Sequence, residues 1–220
     1  MTTVDEFVDE LGSISLPNVF NPYRDVCAVA DHAESAAIRR RNLICYCQAM
    51  QAQHVKMLWL GRDLGYRGGR RTGIALTDEF HLDALIRTYR LSGVAKATLG
   101  PEMKKERTAT EVWKLLTAIQ KPVFLWNVFP FHPFDADEPF TNRRHTRREF
   151  DLCADILIHL ITLLRPTTII VLGADAEMAA VRLGIPCKRV RHPSYGGQNE
   201  FARAIHRITG TLAGSSSPQA

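Results

Sequence analysis

The sequence lacks several features that would place the protein in a specialised class. No segment approaches the run of about 18 apolar residues that a membrane-spanning helix needs. The first residues, MTTVDEFVDELG, carry acids where an export signal would carry a basic and then an apolar stretch. The five cysteines are odd in number and include no CxxC pair, which argues against a disulfide framework and an ordinary zinc site. We therefore expect a cytoplasmic protein with free, partly buried thiols and no membrane partner.

Lysine is also scarce, since it provides only seven of the 28 basic residues and arginine provides the rest. The net charge of +5 favours a polyanionic partner, and the planar arginine fork suits bidentate contacts to phosphate. GC-rich coding also enriches arginine, so this feature carries little weight by itself. The 220 residues, 45% of them apolar, suffice for one globular domain with a substantial core.

Strand-like apolar runs alternate with segments of helical periodicity along the chain. The predicted strands are 55–60, 122–126, 167–173 and 187–191, and the predicted helices are 35–53, 78–91, 108–120, 146–164, 175–183 and one that begins near Gly197. This alternation predicts an α/β fold with a central, mostly four-stranded parallel sheet and helices on both faces. We expect one domain over 1–210, with 1–20 weakly structured apart from one short helix, and a disordered tail over 211–220.

Ligand sites in parallel sheets of this kind lie beyond the carboxyl ends of the strands. Four segments occupy such positions: GRDLGYRGGR, NVFPFHP, GADA and HPSYGG. Three of them are rich in side chains that can do chemistry. The GADA segment is typical of an ordinary strand–turn–helix connection with Asp175 in a capping position, and we assign it no chemistry.

A glycine-rich segment, GRDLGYRGGRRTG (61–73), follows the first predicted strand. Its free backbone amides and four arginines suit anionic groups, and Asp63, two residues beyond the strand, would face the ligand. An aspartate that caps a helix or braces the loop explains the pattern equally well. The segment is not a Walker loop, because GxxxxGK[ST] is absent, and no GxGxxG fingerprint opens a helix here.

Asn127 and His192 stand at the ends of two further strands. A rigid asparagine amide can read the hydrogen-bonding edge of a base, although an asparagine that satisfies the loop backbone is commoner. A neutral His192 can donate to a leaving group, although a structural histidine bonded to the main chain is commoner. The segment NRRHTRRE (142–149) either neutralises phosphates or is a solvated helix start.

An acid, an amide and an imidazole at three strand ends favour a reaction driven by electrostatics. No base–orienter pair accompanies Ser194 as a nucleophile, and no metal-ligand spacing is evident. A carboxylate facing a developing cation and a histidine facing a developing anion suit the cleavage of an N-glycosidic bond. The pattern therefore predicts hydrolysis without a metal or a cofactor.

At these residues the chain resembles the uracil-DNA glycosylase superfamily, over about 21–201. The segment G-R-D-L-G-Y (61–66) keeps the glycine and the acid of the family's G-Q-D-P-Y-H motif. Asn127 matches the asparagine that ends the middle strand, and H-P-S (192–194) is present verbatim. Together with a fourth stretch, 141–176, these motifs occur in the family's order and make the resemblance specific.

The stretch TNRRHTRREFDLCADILIHLITLLRPTTIIVLGADA also resembles the iron–sulfur branch of the family. Cys27 and Cys153 match two of its ligand positions, but Arg24 and Phe131 occupy the other two. A cluster normally needs four thiolates, so no cluster is predicted.

The resemblance implies a monofunctional enzyme that flips uracil out of DNA, hydrolyses its N-glycosidic bond, releases free uracil and leaves abasic DNA. It implies that Asp63 orients the water and stabilises the sugar cation, and that His192 stabilises the charge on uracil O2. Asn127 would accept from N3–H and donate to O4, a pattern that cytosine reverses. The other implied substrate-binding residues are Gly61, Arg62, Leu76 and Tyr66, and the implied DNA-binding residues are Arg67, Arg70, Arg71, Ser194, Tyr195 and Gly196.

Three departures from the family pattern leave alternatives open. Leu76 stands where the major branch stacks a phenylalanine on uracil, and Gly65 stands where it has the tyrosine that excludes thymine's methyl group. The leucine wedge after H-P-S is missing, and Tyr195 is the nearest candidate to fill the vacated stack. The same chemistry on hypoxanthine, xanthine or mispaired thymine, a largely non-catalytic binder of uracil or abasic DNA, and a nucleotide-binding enzyme unrelated to DNA are the alternatives. We expect a monomer acting on nucleoid-associated DNA.

Overall fold

Six strands and eight helices lie in the part of the chain that a computed structural model describes, residues 3–194 and 196–211. The strands are β1 Val19–Phe20, β2 Met57–Gly61, β3 Val123–Asn127, β4 His132–Pro133, β5 Thr168–Leu172 and β6 Lys188–Val190. The helices are α1 Val4–Ser13, α2 Ser35–Ala52, α3 Gly69–Thr72, α4 Leu82–Tyr89, α5 Arg107–Ile119, α6 Arg147–Leu164, α7 Ala174–Arg182 and α8 Gln198–Thr209, with a 3-10 turn at Glu79–His81.

The central sheet is parallel throughout and has the strand order β3-β2-β5-β6. β2 and β3 pair in register from Met57 opposite Val123 to Gly61 opposite Asn127. All five residues of β3 are buried, which is the pattern of a strand covered on both faces. The predicted α/β fold, with four parallel strands and flanking helices, is confirmed.

Buried aromatic side chains tie the helices to the sheet. The Tyr46 ring on α2 stacks on Phe124 of β3 with ring centroids 4.5 Å apart. The Tyr46 hydroxyl donates to the Val123 carbonyl at 2.9 Å and accepts from the Leu125 N–H at 2.9 Å. Tyr89 on α4 also donates to the Val123 carbonyl, at 3.0 Å. The polar tips of these rings are satisfied by backbone groups, so the large apolar rings are buried without an orphaned hydroxyl.

The N-terminal segment has more structure than the sequence predicted. The short helix is present as α1, which begins at a capping box between Thr3 and Glu6. β1 pairs antiparallel with β4. The expectation that 1–20 is weakly structured is therefore wrong, because one face of α1 belongs to the core. The buried residues of that face are Val4, Phe7, Val8 and Leu11. The predicted disordered tail lies outside the described residues, apart from Thr211.

The cysteines are free thiols, and Cys27, Cys47 and Cys153 are buried. Burial raises the pKa of the Cys153 thiol to about 12 and that of the Cys47 thiol higher still. Both thiols therefore stay protonated and unreactive at neutral pH. None of the helices in the described part of the chain is long and apolar enough to cross a bilayer.

Candidate active site

The carboxyl ends of the parallel strands bring the predicted site segments to one edge of the sheet. β2 ends at Gly61, two residues before Asp63, and β3 ends at Asn127. β6 ends at Val190, two residues before His192. Neighbouring strands lie about 4.8 Å apart, so the segments that follow the four strands start within about 15 Å of each other.

The amide of Asn127 is buried and has no hydrogen-bond partner in the part of the chain that the structure describes. Its side-chain Oδ1 and Nδ2 both lack a partner among the described residues, and the residue is only 1% exposed. The amide lies over Gly61, where an added Cβ would collide with Oδ1 and would lie 3.0 Å from Leu76 Cδ2. Leaving a buried donor or acceptor unpaired costs about 1–3 kcal/mol, which a ligand with the complementary pair would recover. Asn127 therefore does not satisfy the loop backbone, the commoner role for such an asparagine.

Leu76 lies beside this amide in an uncommon backbone conformation. Its φ is 54°, a region that residues with a side chain seldom adopt and that is often found at functional sites. The Thr72 hydroxyl donates to the Thr77 carbonyl across the turn at 2.8 Å. The Trp113 indole N–H donates to the Thr77 hydroxyl at 3.1 Å. These bonds hold Leu76 against Gly61, so the structure brings Asn127, Gly61 and Leu76 together.

The Asp63 carboxylate is held by two side chains. Its Oδ2 accepts from Arg62 Nε, and its Oδ1 is bonded to Nδ1 of His145. The Asp63 side chain is 5% exposed. The His145 ring stacks on Phe129 and Phe150, with centroid distances of 5.1 Å and 5.6 Å. These partners are side chains and not a helix terminus, so Asp63 is not a helix cap.

Arg62 joins Asp63 to a second carboxylate. Arg62 Nη1 donates to Asp175 Oδ2 at 2.9 Å, and Arg144 Nη2 lies 3.3 Å from the same oxygen. Burial opposes the charge on Arg62, but Asp63 and Asp175 outweigh it and the pKa of the guanidinium lies above its usual value. Asp175 lies in the first turn of α7, whose N-cap is Gly173, so it is not the predicted cap. The GADA segment thus takes part in the charge network of the site.

His192 is held as a neutral imidazole with a defined tautomer. The Ser194 N–H donates to Nδ1 at 3.2 Å, so the ring proton of the neutral side chain is on Nε2. Burial and then the positive charge of Arg62 lower the pKa of His192, while Asp175 acts in the opposite direction. A Cβ at Gly173 would lie 3.3 Å from His192 Cβ, so a small residue suits that position. His192 therefore accepts a bond from the main chain at Nδ1 and still has its Nε2–H available for a ligand.

Two of the predicted phosphate-binding arginines are structural. Arg70 is 4% exposed, and its guanidinium donates to the Pro139 carbonyl and lies 3.1 Å from His132 Nδ1. Arg71 donates to Glu79 Oε2 at 2.9 Å. Neither guanidinium is free to meet DNA, because each is used inside the protein. The prediction for Arg70 and Arg71 is corrected: both brace the glycine-rich loop.

Arg67 is the exposed arginine of this loop. Its Nε donates to the Tyr66 hydroxyl at 2.8 Å, and its guanidinium lies 5.3 Å from the centre of that ring. The Tyr66 N–H donates to Asn142 Oδ1 at 3.0 Å. Tyr66 is thus tied to the segment before α6, and Arg67 keeps its remaining N–H groups for a partner.

The H-P-S loop lies against the start of α5. Ser194 Oγ is 3.1 Å from Thr108 Oγ1, and either oxygen can donate. Gly196 has a φ of 82°, which favours glycine. Tyr195 lies outside the described residues, so its predicted role stays a prediction.

A carboxyl group that the motifs did not indicate lies against the glycine-rich loop. A Cβ at Gly65 would lie 2.5 Å from Glu106 Oε1, and a Cβ at Gly68 would overlap Oε2. Burial, followed by the negative charge of Asp78, raises the pKa of Glu106 to about 7. The absence of a side chain at these two glycines therefore leaves room for the Glu106 carboxyl group. Glu106 is about 40 residues away along the chain and carries no local signal that would have revealed it.

The residues present do not fit an iron–sulfur cluster. Phe131 is fully buried in the hydrophobic core and Arg24 is exposed, so two of the four positions offer no thiolate. Across residues 3–194 and 196–211, no three His, Cys, Asp or Glu side chains gather in a way that would hold a metal ion.

The fold and its strand ends define an α/β protein whose parallel sheet presents a buried donor–acceptor pair, a clamped carboxylate and a neutral imidazole at one edge. The family model of the Uracil DNA glycosylase superfamily matches residues 48–212, most of the chain. The chain belongs to this superfamily. It is therefore a DNA glycosylase, an enzyme of DNA repair that acts on damaged bases.

A solved structure supports the fold. The crystal structure of wild-type SMUG2 from Pedobacter heparinus is similar to this chain with a TM-score of 0.62 and 16% sequence identity. The match covers 96% of this chain and 98% of that one. A search of curated proteins found no match.

Proposed function

We propose that the protein is a monofunctional uracil-DNA glycosylase that flips uracil out of DNA and hydrolyses its N-glycosidic bond, leaving an abasic site. The observation that carries this proposal is the amide of Asn127, which is 1% exposed, lies over Gly61 and has no hydrogen-bond partner among the described residues. Uracil presents an N3–H donor beside the O4 acceptor, which complements Oδ1 and Nδ2. Cytosine presents the reverse pattern, so an amide held in this orientation would leave four buried groups unpaired.

The chemical step separates charge between the sugar and the base. The C1′–N1 bond breaks with its electron pair on uracil, and the His192 Nε2–H donates to O2 as negative charge grows there. The Asp63 carboxylate faces the positive sugar and orients a water molecule, whose oxygen forms the new bond to C1′. The proton of that water passes to the carboxylate, and uracil takes up a proton from solvent as it leaves.

The DNA contacts rest on the exposed part of the site loops. Arg67 is the exposed cation of the glycine-rich loop and would meet a backbone phosphate. Ser194 and Gly196 offer a hydroxyl and a backbone free of side-chain bulk beside His192. Tyr195 stays the candidate that fills the vacated base stack.

Replacing Asp63 by asparagine tests the proposal. On a duplex with one uracil, with chelator present, the wild-type protein should convert uracil sites to abasic sites, and Asp63→Asn should lower the single-turnover rate by about 10² or more, because a main electrostatic contributor is lost. Asp83→Asn, on the exposed surface of α4, is the matched control and should retain the wild-type rate. Full activity in Asp63→Asn would remove this residue from the mechanism.

One observation favours the same chemistry on other bases. Gly65 carries no side chain, and the space beside it holds the carboxyl of Glu106, whose pKa is about 7. A protonated carboxyl is a donor, so this wall suits a base with an acceptor beyond the pyrimidine ring, as in hypoxanthine or xanthine. A panel of single-lesion duplexes decides: uracil as the best substrate by a wide margin excludes this alternative, and multiple turnover excludes a non-catalytic binder.

A further inference from the structure

We propose that His145 is a positioning residue for Asp63, and that its Nδ1–H donor is what the reaction requires of it. This inference rests on the proposed function and adds to it a residue to which none of the recognised motifs assigns a role in the reaction. His145 and Asp63 are 82 positions apart in the sequence, and they meet because the segment before α6 lies beside the segment after β2.

The direction of the hydrogen bond follows from the acceptor. An ionised carboxylate oxygen carries no proton, so the nitrogen that bonds Asp63 Oδ1 must be the donor. His145 Nδ1 therefore holds a proton. Arg62 Nε donates to the other oxygen, Oδ2, and Arg62 is itself anchored by Asp175. With one donor on each oxygen, rotation of the carboxylate would break two bonds.

Packing holds the plane of the His145 ring, just as the bond to Asp63 holds its Nδ1. Phe129 is fully buried and Phe150 is 3% exposed, and the two rings lie at 29° and 25° to the imidazole. The next residue, Thr146, is the N-cap of α6 in a capping box with Glu149. Any aromatic ring would fill this slot, but Nδ1 of an imidazole also reaches a carboxylate.

The other charged groups near the pair do not replace this donor. Arg143, which Asp63 also influences, uses its guanidinium on Glu149 at 2.7 Å and 2.9 Å. Arg144 lies on Asp175. Without His145, Asp63 would be held by Arg62 alone and free to turn toward it. The carboxylate would then face the sugar and the water poorly, which lowers the rate of the chemical step without affecting DNA binding.

Three variants separate the donor from the packing. His145→Phe keeps a ring between the two phenylalanines and loses the donor. His145→Asn keeps an N–H near the position of Nδ1 and loses the ring, and His145→Leu has nearly the shape of Asn with no donor. The readouts are the single-turnover rate on a uracil duplex, the Kd for the same duplex, and the Tm.

We expect His145→Phe and His145→Leu to lower the rate by about 10- to 100-fold, the range in which misplaced catalytic groups act, with the Kd within about twofold of wild type. His145→Asn should be the fastest of the three. A wild-type rate in His145→Phe together with a slow His145→Asn would show a packing role and overturn the inference. If His145→Phe or His145→Leu does not fold, the comparison of the other with His145→Asn still decides. If His145→Asn does not fold, a wild-type rate in His145→Phe still overturns the inference. An inactive wild-type protein would instead refute the proposed function, whereas an active wild type and an inactive Asp63→Asn leave His145 alone under test.

Discussion

The charges of individual side chains at the strand ends are set by their neighbours. Arg62 touches Asp63 directly, and its positive charge also lowers the pKa of His192. One guanidinium therefore orients an anion and keeps an imidazole neutral. A neutral His192 still carries a proton on Nε2, and it can donate that proton in a hydrogen bond to charge growing on a base.

The charge of Arg62 should be measurable at His192. Burial and Arg62 both lower the pKa of this imidazole, so the wild-type side chain should stay neutral as the pH falls through its ordinary value of about 6.5. Arg62→Met removes one lowering cause and leaves Asp175, so the pKa of His192 should rise. An NMR titration of the ring tests this. Arg67→Met, the same charge change at an exposed site, should leave His192 unchanged, and equal titration curves in wild type and Arg62→Met would contradict the argument.

Among the secondary-structure elements, the start of α6 combines a helix cap, formed by Thr146 and Glu149, with the histidine that bonds Asp63. The capping box of Thr146 and Glu149 satisfies two backbone N–H groups, and the preceding residue is His145. The capping box fixes where α6 begins, and the position of this helix end places the His145 imidazole between Phe129 and Phe150. Fraying of the first turn of α6 would loosen both the cap and the His145 ring.

Removing the cap should cost stability by a predictable amount. Thr146→Ala should lower the free energy of unfolding by about 1 kcal/mol, the usual effect of losing an N-cap side chain. Chemical denaturation measures this difference. Thr162→Ala, at an exposed position inside α6, removes the same hydroxyl away from the cap and should change stability much less. Equal losses in the two variants would show that the capping box contributes nothing specific.

The distribution of charge over the whole molecule favours a polyanion near His192. A cavity of about 950 Å³ is lined by His192 and by basic side chains of β6, α8 and the loop between them. The arginines of this lining are Arg189, Arg191, Arg203 and Arg207. Arg189 is paired with Glu177 at 3.0 Å, and Arg191 lies 3.8 Å from Glu200. At the glycine-rich loop, by contrast, three of the four arginines, Arg62, Arg70 and Arg71, bond to groups of the protein itself. The net charge of +5 therefore says less about binding than the positions of the free guanidinium groups do.

The salt dependence of DNA binding should show whether the arginines near His192 contact phosphates. Each lost phosphate contact lowers the slope of log K against log salt by about 0.9, so Arg191→Gln with Arg203→Gln should lower it by about 2. Fluorescence anisotropy over a salt series measures the slope. The matched control is Arg87→Gln with Arg90→Gln. These residues are close in sequence to Tyr89, which bonds the Val123 carbonyl at the amino end of β3, so they lie away from the carboxyl ends of the strands. An unchanged slope in the first double variant would place the DNA elsewhere.

Local patterns in the sequence predicted most of the fold and the main side chains of the candidate site. Alternating apolar runs and helical periodicity located the strands and the long helices, because each pattern reports how one element is buried. The rule that parallel strands open toward their carboxyl ends selected Asp63, Asn127 and His192. The segment before Asn21 was underestimated, since the apolar face of α1 is short and its packing partners lie far along the chain.

By itself, the sequence determined the order of the elements, the residues at the strand ends and the cap of α6, because these depend on neighbours a few positions away. Only the tertiary structure decided what each charged group meets. His145 bonds Asp63 across 82 positions and Arg62 bonds Asp175 across 113. Glu106 fills the space beside Gly65, and Arg70 is buried under its own loop. Such contacts depend on how separate elements pack, and the energy of an ion pair depends on burial and distance that no local pattern encodes.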